Sequence, residues 1–91
     1  MKDGFIVIAI DDEQNETYIS NTSPILWTDK LEEAKHFTSF KNAKNELEDN
    51  FLSLSATISY TNIKSILICE YKCNIIVERS IFLWETCIQK N

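Results

Sequence analysis

The feature that most constrains this fold is an unbroken apolar run at residues 5–10, in which β-branched side chains predominate. A short run of this composition, without polar alternation, is typical of a strand that is buried on both faces. A chain of 91 residues has enough material for one modest core. The sequence therefore predicts a single domain, spanning residues 1–91, in which this run is the first strand.

Strand-forming segments also follow this run and fill the second half of the chain. A polar segment at 11–16 separates the run from a second strand at 17–20, which indicates a hairpin. After residue 57, β-branched and aromatic residues return with polar interruptions and predict two or three further strands. We expect these strands to form a mostly antiparallel sheet of about four to five strands.

Two helices are expected between these groups of strands. The shorter covers 29–36, where Asp29 and Glu32 have capping-box spacing. The longer begins at Thr38 or Ser39, and its apolar residues recur at steps of three and four. These stripe residues are Phe40, Ala43, Leu47, Phe51 and Leu54. The order ββααβββ predicts an α+β two-layer sandwich with both helices on one face of the sheet.

Single occurrences of glycine and histidine exclude several kinds of chemistry. Phosphate-binding loops need glycines that permit positive φ and close backbone approach, and Gly4 is the only glycine. Because His36 is the only histidine, one chain cannot supply a two-histidine metal site or a histidine acid–base pair. The sequence therefore predicts a protein that is not an enzyme, with no cofactor and no metal.

Negative charge is concentrated in the first half of the chain. Residues 1–50 carry 11 acidic and 5 basic side chains, a net charge of −6, whereas residues 51–91 have a net charge of +1. A field of this sign repels phosphate, so it disfavours nucleic acid and anionic membranes as direct partners and favours a basic protein surface. The alternative interpretation is an ordinary solvated surface that keeps the net charge away from zero.

Two acidic groups are the candidate partner-binding residues. The first belongs to the predicted hairpin loop. The second lies near the end of the longer helix, where negative charge opposes the helix dipole at a cost of up to about 1 kcal/mol. Stability alone therefore does not explain the second group. The candidates are Asp11, Asp12, Glu13, Glu16, Glu46, Glu48 and Asp49.

A pattern within residues 18–47, about a third of the chain, resembles a known family. Residues 26–29 read Leu-Trp-Thr-Asp after a strand, and Ala34 and Phe37 follow three residues apart. This arrangement is similar to small uncharacterised accessory proteins of phages and prophages in low-GC Gram-positive bacteria. The resemblance implies a binder of host machinery, and anti-CRISPR inhibitors are one class with this size and acidity. Its partner would be a host protein with a basic surface.

Three cysteines, Cys69, Cys73 and Cys87, support a competing hypothesis, a protein that depends on a small ligand, a metal or a thiol. The sequence shows no export signal, so we expect a location in the bacterial cytoplasm, where thiols stay reduced. Because neither C-x2-C nor C-x4-C spacing occurs, buried thiols that pack as small apolar groups are the favoured interpretation.

Four large apolar residues at 81–84 point to self-association. Strand alternation places Phe82 and Trp84 on the same side, and helices on one face of a sheet leave the other face uncovered. An edge strand of this composition favours a symmetric partner. The sequence therefore predicts a homodimer that forms through Phe82 and Trp84.

Overall fold

A computed structural model describes residues 3–59, 61–73 and 75–83 of the chain. The described elements follow the order βββααββ, with a single turn of 3-10 helix before the two α-helices. They are β1 (Gly4–Asp11), β2 (Glu16–Thr22), β3 (Ile25–Thr28), the 3-10 turn (Leu31–Glu33), α1 (Phe40–Asp49), α2 (Phe51–Ser59), β4 (Ile63–Lys72) and β5 (Ile75–Leu83).

The five described strands form one antiparallel sheet in the order β3-β2-β1-β4-β5. The predicted α+β architecture is confirmed, and the apolar run at 5–10 does form the central strand. Ile6, Val7, Ile8 and Ala9 are almost completely inaccessible to solvent, so β1 is buried on both faces. Residues 25–28 form a short edge strand before the helices. The sequence shows that this segment is apolar, but it is too short to predict a strand.

Each face of the sheet contributes to a separate part of the core. On one face, which we call the helix side, Val7 and Ile68 pack with Ala43, Leu47 and Leu54 of the two helices. On the other, the back face, Ile6 and Cys69 pack with Leu31 and Ala34 from the connection between β3 and α1. The connection therefore covers a face that the helices do not reach.

The shorter predicted helix, 29–36, is reduced to the 3-10 turn and lies on the back face instead of beside the longer helix. The expected cap by Asp29 does not form. The N-cap position of the turn is occupied by Lys30, whose side chain makes no capping hydrogen bond. Thr28 organises the segment instead: its hydroxyl oxygen accepts a hydrogen bond from the Lys30 N–H, and its hydroxyl donates to the Glu33 carboxylate.

The longer predicted helix begins as expected but is interrupted at Asn50. Ser39 caps α1 by accepting a hydrogen bond from the Asn42 N–H at 3.0 Å. At the other end, both the backbone N–H and the side-chain amide of Asn50 donate to the Glu46 carbonyl, and α2 starts at the next residue. Of the predicted stripe, Ala43, Leu47 and Leu54 are buried, whereas Phe40 is 38% exposed and Phe51 is 45% exposed.

The chain passes between β1 and β2 on its way from the back face to the helix side. These strands pair only from Ile8 to Ile10, and the connection fills the gap that remains. The Lys35 N–H donates to the Ile19 carbonyl, and Phe37 exchanges two backbone hydrogen bonds with Phe5 at 2.8 and 2.9 Å. The start of β1 is therefore held by the connection, not by β2.

Candidate functional site

The first acidic group forms a tight turn that Asp11 organises. Its carboxylate accepts hydrogen bonds from the N–H groups of Asn15 and Glu13 and from the Asn15 side-chain amide. The Asn15 backbone bond is the largest cause that lowers the pKa of Asp11, and the other two bonds add to it against partial desolvation. Asp11 is therefore occupied within the turn, and Asp12 and Glu13 are the side chains exposed to solvent.

Glu16 and Glu46 are also used within the fold. Glu16 pairs with Arg79 of β5 at 3.2 Å. Glu46 accepts a hydrogen bond from the Thr22 hydroxyl at 2.8 Å, and its carboxylate lies 3.9 Å from the Lys35 ammonium. These contacts connect α1 to the end of β2 and to the segment between β3 and α1. Glu46 therefore has a structural role.

Glu48 and Asp49 lie exposed in the last turn of α1. Within the described part of the chain, neither carboxylate has a hydrogen bond or an ion pair. Because α1 ends at Asp49, both charges do lie at a helix C-terminus, where the dipole disfavours them. The dipole of α1 therefore disfavours their position, whereas the start of α2 at Phe51, two residues after Asp49, favours it.

The structure does not bring the two acidic groups together. Glu16 begins β2 and Thr22, which binds Glu46, ends it. At about 3.3 Å per residue, these ends are roughly 20 Å apart. The acidic candidates therefore form two separate surfaces, of which the exposed members are Asp12 and Glu13 on one and Glu48 and Asp49 on the other.

Two large apolar side chains adjoin the second of these surfaces. Leu52 is 87% exposed and Phe51 45% exposed, and both follow Asp49 directly across the break at Asn50. We call Glu48, Asp49, Phe51 and Leu52 the α1–α2 corner. The Ser53 hydroxyl oxygen accepts a hydrogen bond from the Ile25 N–H at 3.5 Å, which anchors the start of α2 to β3.

Sequence reasoning missed the apolar half of this corner because Phe51 fits the helical stripe. The available signal was Asn50, a residue that favours helix ends over helix interiors because its side chain bonds the backbone. A helix boundary there would have separated Phe51 from the stripe. Leu52 does not belong to the stripe in either interpretation.

The predicted dimer contact is only partly within the described residues. Phe82 belongs to β5, which is an edge strand of the described sheet. Trp84 lies outside the residues that the structure describes. The homodimer therefore stays a prediction.

The two described cysteines have different environments. Cys69 is completely buried on the back face, and desolvation raises the pKa of its thiol to about 11, with Arg79 opposing the shift and Glu16 adding to it. Cys73 is exposed in the turn between β4 and β5. Cys87 lies outside the described residues. Across 3–59, 61–73 and 75–83, no group of three or more His, Cys, Asp or Glu side chains could hold a metal ion.

These environments predict unequal thiol reactivity, which tests the competing thiol hypothesis. In a Cys87→Ser background at pH 8, we expect Cys73 to react with a disulfide reagent at an ordinary rate. Cys69 should react at least about 100-fold more slowly than Cys73. Burial blocks access to its thiol, and the raised pKa lowers the thiolate population. Cys73→Ser removes the fast phase and serves as the control. Rapid modification of Cys69 in the folded protein would contradict this assignment.

No family model matches this chain, and comparisons with curated proteins and with solved structures also find no match. Among the described residues, no helix is both long enough and apolar enough to cross a membrane. Function is therefore inferred from the residues and their environments.

Proposed function

We propose that this chain is a non-enzymatic, acidic interaction module whose α1–α2 corner docks on a basic surface of another protein. The observation that carries the proposal is the exposure of Leu52, 87%, beside two carboxylates at a helix C-terminus. An exposed leucine buries little area on folding, and neither carboxylate has a hydrogen bond or an ion pair within the described residues. A partner that covers Leu52 and pairs with Glu48 and Asp49 accounts for the exposed side chain and for the unpaired carboxylates.

The arrangement places an apolar centre beside charged residues, as protein interfaces commonly do. An apolar or aromatic anchor, such as Phe51 with Leu52, supplies most of the affinity when a partner desolvates it. Charges at the rim mainly raise the association rate and select a partner of opposite sign. The net charge of −5 adds a field that attracts basic proteins and repels phosphate.

The biological setting of the proposal comes from the resemblance of residues 18–47 to phage and prophage accessory proteins. In that setting the partner is a basic protein of the bacterial host, in a nucleic-acid-handling or defence complex, and the module blocks it in the cytoplasm as an anti-CRISPR-like inhibitor does. No cofactor is required, because the effect is steric and electrostatic.

The experiment is a pull-down from a Gram-positive lysate with tagged protein, followed by mass spectrometry and by a titration with the purified partner. We expect a basic protein that is recovered at low salt and lost at high salt. The Leu52→Ala variant should weaken binding by roughly 30-fold, as expected for an interface hot spot. The paired variant Glu48→Lys and Asp49→Lys should abolish recovery.

Matched controls separate the corner from general charge effects. Asp12→Lys with Glu13→Lys makes the same charge change at the other acidic surface. Leu26→Ala removes a second exposed leucine, one that is 50% exposed. Both should keep most of the binding. The proposed site is contradicted if the corner variants recover the partner as well as the wild type does. It is also contradicted if the Asp12→Lys and Glu13→Lys variant loses the partner to the same extent as the corner variants.

A further inference from the structure

A second candidate site lies on the helix side, in a groove beside the first turn of α1. The groove has a volume of about 340 Å³, and it is lined by Phe5, Phe40, Ile68, Glu70 and Ser80. This volume is at the lower end of the range for small-molecule pockets, about 300–1,000 Å³. No residue of the α1–α2 corner lines it, so it is independent of the proposed function.

The Glu70 carboxylate is the unusual component of this groove. Glu70 is partly buried, and in the described part of the chain its carboxylate has no hydrogen bond and no ion pair. Lys72, two positions further along β4, does not pair with it. The sheet register pairs Glu70 with Phe5 on one side and with a second glutamate, Glu78, on the other.

No hydrogen bond or ion pair within the described residues accounts for a glutamate at this position. A partly buried carboxylate that gains no hydrogen bond or ion pair has nothing to offset the water that it loses. A neutral or apolar residue would fill the site at lower cost. The position is explained if a positive group enters the groove and pairs with Glu70.

The lining restricts what that group can be. An anion would be repelled by Glu70, and a neutral apolar ligand would leave the carboxylate further desolvated and unpaired. Within the part of the chain that the structure describes, no group of three or more His, Cys, Asp or Glu side chains could hold a metal ion. Phe5, Phe40 and Ile68 supply apolar and aromatic surface, which suits both an aliphatic stem and a cation placed near a ring.

We infer that this groove binds an organic cation, an ammonium or guanidinium group on a short apolar stem, with Glu70 as its counter-ion. The stem packs on Phe5, Phe40 and Ile68, and the charged group donates hydrogen bonds to the Glu70 carboxylate. The same chemistry is available from a free amine or guanidine and from a lysine or arginine side chain of another protein.

The test is an NMR titration of the folded protein with butylguanidinium, with butylurea as its neutral counterpart of similar shape. We expect butylguanidinium to shift the amide resonances of Phe5, Ile68 and Ser80, and butylurea to leave them unchanged. In Glu70→Gln the affinity should fall about tenfold or more, as for a hydrogen bond to a charged group. Phe40→Leu, at a partly exposed position, should weaken binding by about threefold.

A structural role for Glu70 gives the opposite stability result. If the groove is a binding site, Glu70→Gln removes an unpaired charge, and the melting temperature should rise by about 2–4 °C. If the Glu70 carboxylate instead stabilises α1 through attraction to the positive N-terminal end of its dipole, the same change lowers the melting temperature. Glu32→Gln is the matched control: it makes the same charge change at an exposed residue outside the groove, and binding should stay within twofold of the wild type.

Two results would overturn the inference: equal shifts with butylurea and butylguanidinium, or a Glu70→Gln variant that binds as the wild type does. A capped peptide, acetyl-Gly-Arg-Gly-amide, distinguishes the two sources. Tighter binding of the peptide than of butylguanidinium assigns the groove to a protein side chain. Binding of butylguanidinium with exclusion of the peptide assigns it to a free small cation.

Discussion

Replacing Leu54 with alanine is expected to lower the free energy of unfolding by about 2–5 kcal/mol. Leu54 is completely buried on the helix side, where it packs with residues of the sheet and of α1. The substitution removes apolar contacts and leaves a cavity that a core between a helix pair and a sheet cannot fully close. Urea unfolding followed by circular dichroism measures the effect.

Leu52 is a matched control for this prediction because it is the same residue type, in the same helix, two positions earlier. It is 87% exposed, so Leu52→Ala should change stability by no more than about 0.5 kcal/mol. The pair separates folding from binding: Leu54→Ala tests the core, and Leu52→Ala tests the α1–α2 corner in a protein of unchanged stability. A comparable loss of stability in both variants would show that α2 is packed differently.

The second large effect is expected at Gly4, where Gly4→Ala should lower the free energy of unfolding by about 1–3 kcal/mol. A Cβ atom added at Gly4 would lie 2.7 Å from the Phe37 carbonyl oxygen, and the residue has a φ of +156°. The contacting atom belongs to the backbone, so it cannot move aside without breaking the Phe5–Phe37 hydrogen bonds. Chemical denaturation measures the loss.

Hydrogen exchange locates the damage that Gly4→Ala causes. The amides of Phe5 and Phe37 should lose protection before those of the pairs between β1 and β4. Thr38→Ala, in the same connection, adds no atom near Gly4 and is the control. Wild-type protection at Phe5 and Phe37 in the Gly4→Ala variant would mean that the close approach to Phe37 does not constrain the fold.

The parts of the fold that depend on local pattern were predictable from the sequence. The apolar run at 5–10 is long enough and regular enough to identify a doubly buried strand, and Ser39 has the position and chemistry of a helix cap. The break at Asn50 was not predicted because Phe51 fits the helical stripe, although asparagine favours helix ends. The strand at Ile25–Thr28 was not predicted because it depends on contacts with distant residues. The Ile25 N–H bonds Ser53, and Trp27 pairs with Ile19.

The acidic candidates show the same limit. Composition identified the residues, but it could not show which carboxylates are used internally. Asp11 is bonded within its own turn, a local arrangement that the short polar segment makes plausible. Glu46 binds Thr22, which is 24 residues away, and only the tertiary structure reveals that contact. The sequence did not identify Glu70 as a candidate, because the groove that it lines forms only when Phe5 and Phe40 come together in the fold.

The passage of the connection between β1 and β2 has a consequence for how the chain assembles. The hairpin that is nearest in sequence contributes only three residue pairs to β1, whereas β4, more than fifty residues later, contributes eight. The first half of β1 therefore acquires its neighbours only after Phe37 and β4 have arrived. Ordering so much chain before these contacts form carries a large loop-closure cost. We therefore expect the central strand, although it is first in sequence, to complete its pairing late, and we expect that the N-terminal hairpin does not fold independently.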